Sequence, residues 1–132
     1  MCTHNSSSRN ALNSLKPAFN DLLNKGIYSD IEIVVNGESI KAHKCILIAR
    51  SEKFKSMLQT EMKEHLENKV VISNEEVTPA VYKLLIQWIY EGECDLPDSV
   101  KDLIQLLKLT DEYLLPDLQK VCEEQVIDSI DS

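Results

Sequence analysis

Within AHKCILIARSEKF (42–54) the chain sets His43, Cys45 and Ser51 close together, the residue types from which a base, a nucleophile and an orienting hydroxyl are built. Nucleophilic catalysis by such a set needs the base within hydrogen-bond reach of the nucleophile and a third group that holds the base. On a helix, residues two apart point about 200° away from each other, so His43 and Cys45 cannot touch. In an extended segment they share a face, but no third member stands nearby. The spacing reads as framework, with His43 hydrogen-bonded to backbone at a strand-to-helix corner and Cys45 in the core. A thiol enzyme built on Cys45 or Cys122 is the remaining catalytic reading, and it requires one abnormally reactive, low-pKa cysteine.

The other candidates are weaker. His65 falls in the charged stretch KEHLEN and His4 lies near the start of the chain. Four cysteines (Cys2, Cys45, Cys94, Cys122) lack any CxxC spacing, so no zinc site is encoded. They read as reduced thiols serving as small hydrophobes of an intracellular protein. Glycine occurs only at 26, 37 and 92, which excludes a phosphate-cradling loop. The pairs Glu75-Glu76 and Glu123-Glu124 read as solvated faces. No catalytic residue, metal, cofactor or small-molecule substrate is expected.

These residues sit in a chain of 132 residues, enough for one domain with one core. Hydrophobic residues make up 43% and charged residues 27%, a globular composition with no apolar run long enough to span a bilayer. MCTHNSSSRN is polar and lacks the apolar region of a secretory signal. Residues 1–11 are expected to be a disordered tail, and the cytoplasm or nucleus is the expected compartment. The net charge is −8 and it is concentrated, with 3 basic against 12 acidic residues from 91 onward. Such a surface repels nucleic acid and anionic membrane and would steer a basic partner.

LNSLKPAFNDLLNKG spaces Leu15, Phe19, Leu22 and Leu23 as a one-sided amphipathic helix that Gly26 stops. Its apolar face must be buried on its own domain or across a symmetric interface. DIEIVVNGESIKA alternates, and Asn36-Gly37 marks a tight hairpin. HKCILIAR suits strand or helix, and helix is favoured with Cys45, Ile46, Ile48 and Ala49 turned inward. Ser51 caps the next helix, which turns Phe54, Met57 and Leu58 inward. KVVIS (69–73) reads as a strand. TPAVYKLLIQWIYEG is a helix capped by Thr78 with Pro79 in its first turn, a stripe of Val81, Leu84, Leu85, Trp88 and Ile89, and a stop at Gly92. Two further helices meet near Tyr113–Pro116. Strands in front and helices behind predict an α+β fold in which a small three-stranded sheet caps a bundle of about five helices.

YSDIEIVVNGESIKAHKCILIARSEKFKSML resembles the opening of a BTB/POZ domain. The resemblance is carried by Asp30, Ala42-His43-Lys44, Leu47, Ser51 and Phe54. VTPAVYKLLIQWIYEGECDL is similar to the family's next block, and residues 103–125 to its closing helical pair. Residues 12–130 are thereby identified as the domain, with a leading helix arranged as in speckle-type and kelch-type POZ adaptors. The resemblance implies a homodimer whose interface holds Leu15, Phe19, Leu22, Leu23, Ile46 and Ala49. Asp30 and Lys44 match the family's charged pocket beside the dimer groove. The resemblance further implies recruitment of the cullin-3 N-terminal domain through the hydrophobic–x–acidic stretch Met62-Lys63-Glu64 and through Tyr113, as the substrate-adaptor part of a ubiquitin ligase. In such adaptors a helical pair usually follows the domain. This sequence ends at Ser132 before any such pair, so the reading allows a piece of a larger adaptor or a domain acting by dimerisation alone. The alternative is a dimeric scaffold or transcriptional co-regulator-binding domain without cullin contact.

Overall fold

The computed structural model describes the backbone of residues 2–60 and 68–131 and the side chains of residues 13–59 and 68–130. Helix α1 (Cys2–Lys25) leads and begins well before Leu12, where the apolar spacing starts. The hairpin β1 (Ile31–Val35) and β2 (Glu38–Ala42) follows, then α2 (Lys44–Arg50), α3 (Glu52–Thr60) and β3 (Lys69–Ile72). Helices α4 (Pro79–Glu91), α5 (Val100–Glu112) and α6 (Pro116–Asp131) complete the described chain.

The hairpin forms because its alternation and its turn agree. Ile31, Ile33 and Val35 are buried on one face, and Asn36 and Gly37 take φ of 46° and 92°, the left-handed values that a two-residue turn demands. Register follows from that turn, with Val35 opposite Glu38, Ile33 opposite Ile40 and Ile31 opposite Ala42. The Asn36 side chain does more than tolerate the turn. Its amide donates to the carbonyls of Asn74 and Val77, which fixes the entry to α4 against the hairpin tip. Strand β3 pairs parallel with β1, with Ile33 opposite Val70, so the sheet order is β2-β1-β3 and α2 and α3 form the crossover.

Helix α4 is the middle of the molecule. Thr78 Oγ1 accepts the Val81 N–H, Pro79 occupies the first turn, and Gly92 closes the helix at φ 76°. The stripe read from the sequence is too narrow. Val81, Leu85 and Ile89 are buried as expected, but so are Tyr82, Ile86 and Tyr90, while Leu84 and Trp88 are only half-buried. The reason is packing on more than one side, since α4 touches α1, α2 and α5. Periodicity detects one apolar stripe and does not report a helix enclosed by its neighbours.

Helix α2 also departs from its expected face. Leu47 is fully buried, Ile46 and Ile48 are half-buried, and Cys45 and Ala49 are exposed. Cys45 is therefore no core residue, although Cys122 is. Helix α3 matches its reading, with Ser51 Oγ accepting the Phe54 N–H and with Phe54 and Leu58 buried. Leu103, Leu106, Leu109 and Leu118 from α5 and α6 close the core.

Truncating Leu85 to alanine removes a fully buried side chain from the enclosed helix and is expected to cost about 2–5 kcal/mol. Val71, 60% exposed on β3, is expected to change stability by less than about 0.5 kcal/mol when replaced by alanine. Urea denaturation of Leu85→Ala and Val71→Ala measures both; equal losses would contradict this account of the core.

Candidate functional site

The corner between hairpin and helices is a buried polar junction. The His43 backbone N–H donates to Tyr90 Oη at 2.8 Å, and His43 Nδ1 lies 2.7 Å from the same oxygen. His43 Nε2 lies 2.6 Å from the Ile27 carbonyl, which can only accept, so Nε2 carries the proton. In the neutral ring Nδ1 is then an acceptor and the Tyr90 hydroxyl donates to it. Both ring nitrogens are occupied by structural partners, while Cys45 points outward to solvent.

Asp30 and Lys44 do meet, by a link other than carboxylate to ammonium. Asp30 Oδ1 accepts the Lys44 backbone N–H at 2.8 Å and so caps α2 from the strand side, where His43 supplies no side-chain cap. The Lys44 ammonium donates to Asn68 Oδ1, and the Asn68 carbonyl accepts the Glu32 N–H at 2.9 Å. The group ties the starts of β1, α2 and β3 together. Asp30 is exposed rather than buried, so it escapes the desolvation that a buried carboxylate would suffer.

Four of the six residues assigned to a self-association surface converge. Leu15, Phe19, Ile46 and Ala49 line an open cleft of about 440 Å³ floored by Ile89 and Tyr90. Leu15 is 50% exposed at its edge. Leu22 is half-buried against the core. Leu23 is placed differently: it is 7% exposed and packs within its own domain. Helix α1 is tied to the last residue of α4 by Asn20 Nδ2 donating to Glu91 Oε2 at 3.0 Å and to the loop beyond it by the exposed ion pair of Lys16 with Glu93 at 3.2 Å. Arg50 Nε donates to the Ile89 carbonyl at 3.1 Å on the α2 side.

Met62 and Glu64 lie outside the described residues. Tyr113 is not a surface aromatic. It is 1% exposed, its hydroxyl accepts from Tyr82 Oη at 2.8 Å, and its ring packs on Phe54 with centroids 5.0 Å apart. Its carbonyl accepts the Ser51 hydroxyl at 2.7 Å. The exposed residue of that turn is Leu114, at 54% and φ 56°. A helical spacing rule does not find this, because the helix stops at Glu112 and the chain turns through a left-handed residue before α6 begins.

Burial governs the titratable groups. It pushes the Cys94 and Cys122 thiols up to about 11 from 9.0. It pushes the Tyr113 phenol up to about 12, although the Tyr82 hydrogen bond pulls the other way. Tyr82 and Tyr90 are raised by burial as well.

The BTB/POZ domain profile matches residues 19–130, so the chain belongs to the BTB/POZ domain family, a protein-interaction fold. The chain is similar to TD and POZ domain-containing protein 4 of Mus musculus, 34% identical over 110 residues, which are 83% of this chain and 29% of that protein. It is also 34% identical over 104 residues to TD and POZ domain-containing protein 1-like of Mus musculus, covering 79% of this chain and 28% of the relative. The chain thus spans less than a third of the length of these curated relatives. Among solved structures, the BTB domain of zebrafish PATZ1 superposes with a TM-score of 0.73 over 92% of this chain and 94% of that one, at 20% identity, which speaks for the fold. No helix among the described residues is long and apolar enough to cross a membrane.

The buried hydroxyls and thiols can each be tested by denaturation. Tyr113→Phe and Tyr82→Phe each leave one buried phenol without its partner and are expected to cost about 1–3 kcal/mol. The double variant is expected to cost less than their sum, and strict additivity in a denaturation cycle would contradict the pairing. The thiols are tested at alkaline pH. An unfolded chain releases thiol protons from about 9.0 upward while the folded chain holds them to about 11. The unfolded state then binds fewer protons, so stability is fully present below pH 9 and is lost as pH rises toward 11. The urea midpoint should be flat just below that window and fall through it.

Proposed function

We propose that this domain pairs with a second copy of itself across the α1–α2–α4 cleft, and that the paired domain recruits the cullin-3 N-terminal domain as the adaptor part of a ubiquitin ligase. The observation that carries the reading is the convergence of Leu15, Phe19, Ile46 and Ala49 on one open cleft. Apolar surface collected in this way loses its contact with water when a symmetric partner covers it. Pairing supplies two copies of the adaptor and raises the effective concentration of a bound substrate at the ligase.

The cullin contact rests on the Met62-Lys63-Glu64 stretch, with an adaptable apolar knob and a charge suited to a basic face. It rests also on the α5–α6 turn, where Leu114 is exposed and Tyr113 is buried. The net charge of −8 supports a basic partner. Free thiols, with Cys45 exposed, suit the reducing cytoplasm or nucleus. The names of the mouse relatives pair a TD region with the POZ domain. Substrate capture is accordingly assigned to a part of a longer protein outside this domain.

The second reading is a dimeric scaffold or co-regulator-binding domain without cullin contact. The burial of Tyr113 favours it, since that burial removes one of the three side chains assigned to cullin.

Light scattering with and without the cullin-3 N-terminal domain tests both. The expected result is twice the chain mass alone and a further increase with cullin. Leu15→Asp with Ala49→Asp, both at exposed positions, should give a folded monomer. Met62→Ala with Glu64→Ala should abolish the cullin increment and leave the dimer. A single-chain mass at high concentration overturns the pairing, and a dimer that takes up no cullin selects the second reading.

A further inference from the structure

A second pocket, of about 280 Å³, lies at the C-terminal end of α1, and its lining includes Lys25, Lys41 and Lys83 together with Asn24, Ser39 and Gly26. It stands out in a chain of net charge −8, because three cations line it and no carboxylate does. The lysines come from three elements, the end of α1, strand β2 and helix α4, so the tertiary fold and not a run of sequence assembles them.

Their neighbours leave the charge available. Lys25 has Asp21 on its own helix at 3.8 Å, an exposed pair that water and salt weaken. Glu32 stands opposite Lys41 across the ladder, but its carboxylate is 3.9 Å from Lys69. The side chains of Lys41 and Lys83 have no hydrogen-bond or ion-pair partner among the described residues. Gly26 helps to seat Lys41. It holds φ +65°, and a Cβ there would come within 3.2 Å of the Lys41 stem. The glycine lets that stem lie close against the end of α1.

We propose that this pocket binds a compact phosphoryl anion of the pyrophosphate type. Three lysines lining one cavity match a small ligand that carries several negative charges on adjacent groups. The volume equals the liquid share of about nine water molecules, enough for two linked phosphoryl groups. Long-range repulsion from the acidic surface works against extended polyanions such as RNA or a charged bilayer. A small ion feels mainly the local lysines once inside the pocket, since screening at physiological salt acts over about 8 Å.

Inorganic pyrophosphate is the probe, titrated by calorimetry into the full chain at low and at physiological salt, with orthophosphate and sulfate in parallel. Saturable one-site binding of pyrophosphate is expected, at least about tenfold tighter than either single-group anion. Lys41→Ala with Lys83→Ala, both at exposed positions, should weaken it by about tenfold or more and leave the urea midpoint unchanged. Lys101→Ala with Lys108→Ala, on a separate groove, should leave binding unchanged. The proposal is overturned by an absence of saturable binding, by sulfate binding as tightly as pyrophosphate, or by equal losses in the two lysine pairs. None of these outcomes depends on dimerisation or on cullin.

Discussion

At the Tyr90 hydroxyl, three parts of the chain are made to agree. It accepts the His43 backbone N–H and donates to the same residue's ring, whose other nitrogen holds the Ile27 carbonyl. The corner from hairpin to helices is buried, and a backbone N–H left without a partner there would cost about 1–3 kcal/mol. One phenol therefore sets where the end of β2, the loop after α1 and the last turn of α4 lie relative to one another. The Asp30 cap on α2 and the Ser51 bridge to the Tyr113 carbonyl continue the same principle, each using one side chain to join two segments distant in sequence.

That junction also shapes the candidate binding surface. Tyr90 and its neighbour Ile89 floor the apolar cleft, and Arg50 reaches the Ile89 carbonyl from the α2 side. Helix α1 is anchored by Leu23 inside the core and by Asn20 on Glu91, so the exposed Leu15 is held in place. A cleft held in this way loses little conformational freedom when it is covered, which is how preorganised surfaces gain affinity. The half of α1 nearest β1 works as part of the domain, and the exposed edge at Leu15 works as surface. The sequence presents both as one continuous amphipathic stripe.

Features with a local cause are legible in the sequence. Asn36-Gly37 requires left-handed backbone, Thr78-Pro79 starts a helix, Gly92 ends one, and Ser51 caps another; each depends on atoms within a few residues. The kinship to BTB/POZ domains was legible for the same reason, since its marks are short runs around those caps and turns. The inward faces of α2 and α4 are less legible. Cys45 and Ala49 are apolar by type yet exposed, and Tyr82, Ile86 and Tyr90 are buried beyond a single stripe, because neighbouring elements decide which sides of a helix are covered.

The amino-acid sequence by itself determined the order of elements, the hairpin register, the caps at Ser51, Thr78 and Gly92 and the family, all consequences of dihedral preference and short-range hydrogen bonding. Tertiary structure alone decided that β3 joins β1 in parallel, that Tyr113 turns inward to Tyr82 while Leu114 faces out, and that lysines from α1, β2 and α4 share one pocket. Those outcomes depend on contacts between residues far apart along the chain, where packing and the need to pair buried polar atoms select one arrangement among several that local preference leaves equal.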